Sequence, residues 1–226
     1  MAINFNITSG GVWTPNNSIA VPANLPFPLS VFADETPNTK GLQLPIKRKL
    51  STISKSALLT TATCGNAETL ARVPYVFSSR WGEWSRELNL LFERAETGEV
   101  SQGGFSLSVH NTSPSLFTLM YKNHCNYTAI SAGTASLEAA ILQGAMWLKQ
   151  YEQVLITYGE EPAPELPGVA EKIEAGTLSL LLSRGNDYTL NASAGTQNPP
   201  LTIASLLAAI AAGTPIAGAT IDFAKN

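Results

Sequence analysis

Ser131 is the hydroxyl best placed to do chemistry, because it closes a short run with β character (Tyr127 to Ser131) and stands just before a helical pattern. Ala132, Gly133 and Thr134 follow it and fall at the helix N-terminus. Such a terminus directs unpaired backbone N–H groups and a positive partial charge at what precedes it, which suits a thiolate or an oxyanion. Enzymes that use this geometry place Cys or Ser there. Here the chain has no cysteine from Asn126 to Asn226. A hydrolase elbow requires G-x-S-x-G, whereas Ala129 and Gly133 flank Ser131. Both histidines, His110 and His124, precede the elbow, so no downstream base follows the serine.

Other reactive side chains have plainer readings. His110 beside Asn111 could line a channel, but a lone histidine is more often hydrogen-bonded structure. Asn111 is expected to cap the next helix, with Pro114 in its first turn. His124 and Cys125 are neighbours on an extended segment and point to opposite sides. Cys64 lies in a helical apolar context and reads as a buried thiol. Neither cysteine has metal-ligand spacing, so no metal or cofactor is expected. Glu160, Glu161 and Glu165 stand among Pro162, Pro164 and Pro167 and read as a solvated loop. Lys47, Arg48, Lys49 and Lys55 read as a solvated helix start.

The elements that must position these groups alternate as in an α/β protein. Leu137, Ala140, Ile141, Gly144, Ala145 and Leu148 recur on one face of the helix after the elbow. Ala139, Leu142, Met146 and Trp147 fill much of the other, so that helix is expected to be central. Further helices are expected at about Ser51 to Glu68, Trp84 to Ala95 and Pro114 to Tyr121. Trp84, Leu88, Leu91 and Ala95 share one face of the second of these. Strands are expected at Tyr75 to Ser79, Val154 to Thr157 and Thr177 to Leu182. Residues 1–45 are rich in Pro, Asn and Gly and are expected to form an extended arm around the domain or a partner. The uncharged run Leu201 to Ile221 has the length of a membrane span, but Gly213, Pro215 and Gly218 interrupt it. A core helix at Thr202 to Ala212 followed by a strand fits it better. One domain of 226 residues is expected, with a core at 46–185 and a C-terminal helix and strand in 186–226.

A formal charge of −3 argues against nucleic acid as a partner. The start, MAINFNITSGG, lacks the basic and apolar regions of a signal peptide, so a cytoplasmic protein with free thiols is expected.

SLSVHN (Ser106 to Asn111), AISAG (Ala129 to Gly133) and VLITYGEEPAPE (Val154 to Glu165) resemble the β-ketoacyl-synthase-like N-terminal family. RKLSTISKSALLTTA (Arg48 to Ala62) and VFSSRWGE (Val76 to Glu83) fit it too. Within the family the chain is most similar to chain-length-factor-like subunits of aryl polyene biosynthesis, a type II fatty-acid and polyketide-like pathway. It departs from its relatives at Thr112 to Ser115, where small residues are usual, and in the TASLE that follows AISAG. The resemblance implies one half of a thiolase-like fold, a layered α/β unit with a mixed central sheet, without the C-terminal half that carries the catalytic histidines. It places the lost nucleophile at Ala132, within one residue. It also implies a heterodimer with a ketosynthase that carries the condensation. Tyr127, Thr128, Ala129, Ile130 and Ser131 would then pair across the interface. Phe105, His110, Asn111, Phe117, Ser131, Ala132 and Gly133 would wall the far end of the partner's acyl pocket. An acidic acyl carrier protein could meet the Lys47–Lys55 cluster. Two further readings stand beside this one: a small hydrolase or acyltransferase using Ser131 or a cysteine, and a homodimeric structural protein.

Overall fold

The computed structural model describes residues 2–43, 50–162, 174–192 and 197–226. Lys47, Arg48, Lys49 and Glu165 lie outside the described residues. In chain order the elements are β1 (Ala2–Trp13), β2 (Leu29–Phe32), α1 (Thr52–Thr61), α2 (Ala67–Leu70), β3 (Tyr75–Ser78) and α3 (Trp84–Thr97). There follow α4 (Gln102–Phe105), α5 (Thr112–Tyr121), β4 (Tyr127–Ile130), α6 (Ser136–Trp147) and β5 (Gln153–Glu160). The chain ends with β6 (Gly176–Ala192), α7 (Ile203–Ala212), β7 (Ile216–Ala217) and β8 (Ile221–Lys225).

The sheet is mixed, in the order β2-β1-β6-β5-β3-β4. In that order β6 alone runs against the others, antiparallel to β1 and β5, while β5, β3 and β4 are mutually parallel. Helices α6 and α7 pack on one face, where Leu137, Ile141, Leu206 and Ile210 join Val154, Ile156, Leu180 and Leu182. Helix α1 and Phe117 of α5 pack on the other face, against Tyr75, Phe77, Leu155 and Leu181. This is the layered α/β architecture expected, with the parallel strands β3 and β5 buried on both faces.

Helix α1 is buried along most of its length despite its serines and threonines. Their hydroxyls are satisfied: Ser56 meets Thr177 at 2.7 Å, and Thr60 meets Ser179 at 2.7 Å. Buried hydroxyls persist only where they find such partners. The helix ends at Thr61, short of the expected Glu68, because Asn66 starts a new turn by accepting a hydrogen bond from the Thr69 N–H.

Three expectations are corrected. The segment expected as an arm supplies β1, an interior strand between β2 and β6. Its Ile3, Phe5 and Ile7 alternate into the core with a period of two, a pattern that outweighs the prolines further on. The division at 185/186 falls inside β6, whose second half pairs with both β1 and β8. Finally, α6 is buried on one face only, and its Met146 is exposed.

The uncharged C-terminal run forms α7 and then β7 and β8, as expected. Thr202 and Ser205 make a reciprocal capping box at the start of α7, and Gly213 ends it in the left-handed conformation. Among the described residues no helix is long and apolar enough to cross a membrane.

Candidate functional site

The elbow forms where the sequence places it. Strand β4 ends at Ile130, Ala132 has φ −129° and ψ 33°, and a 3-10 turn at Gly133–Ala135 leads into α6. Gly133 takes φ +59°, a region that favours glycine. Ser136 holds the turn, its Oγ accepting from the Ala132 N–H at 3.1 Å and donating to the Gly133 carbonyl at 2.8 Å.

Three donors converge on the Ile130 carbonyl at the end of β4: the Ser79 N–H, the Ser78 hydroxyl and His110 Nε2, at 3.1, 3.1 and 3.0 Å. His110 therefore acts as a structural tie in this fold, with its ring edge against Phe77. Gly82 makes room for it: a Cβ there would sit 2.5 Å from His110 Nδ1.

Ser131 is exposed and donates to the Arg80 carbonyl at 3.1 Å. Neither histidine is among its hydrogen-bond partners. Cys64 is buried, and burial pushes its thiol up to about 12. The Cys125 thiol donates to the Arg72 carbonyl at 3.1 Å. Among the described residues no cluster of His, Cys, Asp or Glu could hold a metal ion.

The remaining expected site residues divide. Phe105 is exposed on α4, and Asn111 lies at the start of α5. Asn111 makes no side-chain cap; instead its Nδ2 donates to the Tyr127 hydroxyl at 3.4 Å. Phe117 is fully buried, with ring centroids 4.6 Å from Tyr75 and 4.9 Å from Tyr121, so it lines no opening. It was expected at a pocket wall, but its spacing within α5 turns it into the core.

Strand β4 is an edge strand, hydrogen-bonded to β3. The Asn126 and Ile130 carbonyls face β3, accepting from Tyr75 and Ser79. By the alternation of an extended chain, the N–H and C=O of Tyr127 and Ala129 face the open side.

A cavity of 380 Å³ opens beside the elbow, lined by Gly133 and Thr134, by Arg80, Trp81, Tyr158 and Glu160, and by Pro199 to Ile203. Glu160 and Glu161, expected in a solvated loop, are both buried. The reason is that β5 runs on to Glu160, past the apolar residues that announce it. Glu160 accepts from the Ser79 hydroxyl at 3.2 Å and from the Arg80 and Trp81 N–H groups. It thus fixes the turn that supports His110. Glu83 is a third buried carboxylate, accepting from Ser51 and Ser54 and pairing with Arg86 at 3.0 Å. Nothing in composition marks these glutamates; their place directly after a strand or before a helix was the available signal.

Burial pushes the Glu160 carboxyl up to about 7, against the opposing pull of its N–H and hydroxyl donors. A carboxyl raised in the native state adds stability below its unfolded value, and that stability is lost as pH climbs from the ordinary carboxylate range to about 7. Unfolding free energies from urea titrations at pH 5 and pH 8 should therefore differ more in the wild type than in Glu160→Gln, by on the order of 2–3 kcal/mol. Equal pH dependence in the two proteins would refute that role for Glu160.

Residues 25–213 match the β-ketoacyl synthase N-terminal domain family. The chain belongs to that family. Among solved structures, it is similar to a chain from the ketosynthase (ApeO) in complex with its chain length factor (ApeC) of Xenorhabdus doucetiae. The TM-score is 0.71 at 20% identity, over 98% of this chain and 99% of that one. A β-ketoacyl synthase of Burkholderia phymatum matches with a TM-score of 0.48 and 16% identity, over 82% of this chain and 54% of that one. The 3-oxoacyl-[acyl-carrier-protein] synthase III of Aquifex aeolicus matches with a TM-score of 0.46 and 12% identity, over 84% and 59%. This family member thus spans little more than half the length of those two synthases. No curated protein matches the sequence. The fold of the family member is the thiolase-like α/β unit expected from its sequence.

Proposed function

We propose that this member of the β-ketoacyl synthase family is a non-catalytic, chain-length-factor-like subunit that pairs with a ketosynthase in aryl polyene biosynthesis. The observation that carries the reading is the elbow after the edge strand β4, where Ser131, Ala132 and Gly133 bring no cysteine to the place that the resemblance assigns to the nucleophile. The likeness to a chain of a ketosynthase and chain length factor complex, over nearly the whole of both chains, supports it. The partner supplies nucleophile and bases. This chain adds the outward N–H and C=O groups of Tyr127 and Ala129 to the partner's sheet, with Thr128 and Ile130 held on β3. Ser131, Ala132 and Gly133 then face the partner, with Phe105, His110 and Asn111 beside them, and their bulk limits the volume left for a growing acyl chain. An acyl carrier protein meets the ketosynthase and reaches this chain indirectly.

The test is co-expression with the pathway's ketosynthase, followed by light scattering. A one-to-one complex is expected. Ala129→Pro removes an outward N–H and leaves the β3 pairing intact, so it should weaken the complex roughly tenfold or more. A monodisperse chain that ignores the ketosynthase would refute the reading, as would acyl transfer or hydrolysis by the chain alone that Ser131→Ala abolishes.

A further inference from the structure

Helix α3 leaves part of its apolar surface uncovered. Its apolar residues Trp84, Leu88, Leu91, Phe92 and Ala95 recur at helical spacing, the pattern that ordinarily faces a core. Yet no residue of α3 is buried, and Leu91 and Phe92 are 64% and 56% exposed. Trp84 and Leu88 are half-buried, and Leu90 lines a groove of 540 Å³ with Arg86, Glu93, Ser51 and Lys55, so the uncovered apolar surface is centred on Leu91 and Phe92. A helix of this length is marginal in water unless packing covers its apolar stripe.

The exposed surface continues beyond α3. Helix α4 lies against it, since a Cβ on Gly104 would sit 2.9 Å from Leu90 Cδ2. Phe105 at the end of α4 is 65% exposed, and Val109 follows at 47%. The next residues reach β4 directly, through Asn111 and Ser115, which meet the Tyr127 hydroxyl at 3.4 and 3.2 Å. A shelf of exposed apolar side chains, interrupted by the polar Asn111 and Ser115, therefore recurs on the successive segments from α3 to the open sheet edge. Together Leu91, Phe92, Phe105, Val109 and Tyr127 expose roughly 600 Å², close to the ~800 Å² that each side gives to a standard interface.

Resting on the proposed function, we infer that this shelf is the hydrophobic half of the ketosynthase interface, and that its occupant is an apolar surface of the ketosynthase beside the strand that joins β4. Main-chain pairing at β4 sets the register, while Phe92 and Phe105 supply the aromatic anchors from which such interfaces draw most of their affinity. The charges on α3 fit a protein partner. Glu87, Glu93 and Glu96 outnumber Arg86 and Arg94, a balance that neither an anionic membrane nor a nucleic acid would select.

The test compares Leu91→Glu/Phe92→Glu, Phe105→Ser and Ala129→Pro with the wild type in co-purification and titration against the ketosynthase. Both shelf variants should keep the wild-type helix content and melting temperature, because the changed side chains are exposed. They should weaken the complex at least a hundredfold for the double variant and about tenfold for Phe105→Ser. If the double variant loses helix content, Phe105→Ser decides. Undiminished affinity of the shelf variants, with Ala129→Pro still disruptive, would overturn the inference and leave the heterodimer standing. A wild-type homodimer that the double variant makes monomeric, with ketosynthase affinity unchanged, would assign the shelf to a second copy and also overturn it. Absence of any wild-type complex would sink the proposed function and this inference with it.

Discussion

Glu138→Ala is expected to lower the melting temperature by about 10 °C or more, the largest stability loss from any single polar side chain described here. Glu138 stands in the first turn of α6, fully buried, and its carboxylate gathers the C-terminal segment. Oε1 accepts from the Leu201 and Ala219 N–H groups at 2.9 and 3.0 Å; Oε2 accepts from the N–H and the hydroxyl of Thr220. Removing the carboxylate orphans these donors at about 1–3 kcal/mol for each that water cannot reach. A net loss of about 4 kcal/mol follows, at roughly 2–4 °C per kcal/mol for a chain of this size. The site feels the loss, because Leu201 and Ile203 line the cavity beside Gly133.

The same carboxylate has a pH signature opposite to that of Glu160. Burial raises the Glu138 value, but its hydrogen bonds outweigh burial and hold it below the ordinary range. A carboxyl depressed in the native state contributes its stability above the unfolded value, and loses it as pH falls through the folded one. The gap between wild type and Glu138→Ala should thus narrow in acid. Thermal melts at pH 7 and in the acid range would check this, and a gap that is constant or widens in acid would contradict it.

Gly144→Val is expected to be the most damaging apolar change, costing about 3 kcal/mol and shifting the helix that carries the elbow. Helix α6 rides so closely on β5 that even a Cβ at Gly144 would lie 2.4 Å from Ile156 Cγ2 and 3.1 Å from Leu182 Cδ1. A branched side chain can only push the helix off the sheet. The gain in helix propensity over glycine, about 1 kcal/mol at best, does not offset that. Ile156→Ala removes the offending methyl, so the double variant should be less destabilised than the two losses added together, with a coupling of about 1–3 kcal/mol. Urea denaturation of the four proteins measures it, and strict additivity would show that the two residues do not collide.

Much of this was legible in the sequence, and the exceptions share one cause. The α6 face from Leu137 to Leu148, the strands at Tyr75 and Val154, and the capped helix after Leu201 were readable because burial on a regular element imposes a period on the chain. An elbow without cysteine was readable because the residue types around it are given by the sequence itself. The buried roles of Glu138, Glu160 and Glu83 were not readable. A glutamate looks the same in a solvated loop as on a core face, and what separates them is a set of N–H and hydroxyl donors more than twenty residues away in the chain.

The sequence by itself determined the α/β class, the strand-elbow-helix unit, the lack of cysteine from Asn126 to Asn226 and the family to which the chain belongs. Only the tertiary structure decided that residues 2–13 are an interior strand, that β4 is left at the sheet edge, and that α3 leaves Leu91 and Phe92 uncovered. Local periodicity records that a side chain has an apolar face. Which neighbour covers that face, or whether any does, depends on the pairing of strands far apart in sequence, and that pairing exists only once the chain has folded.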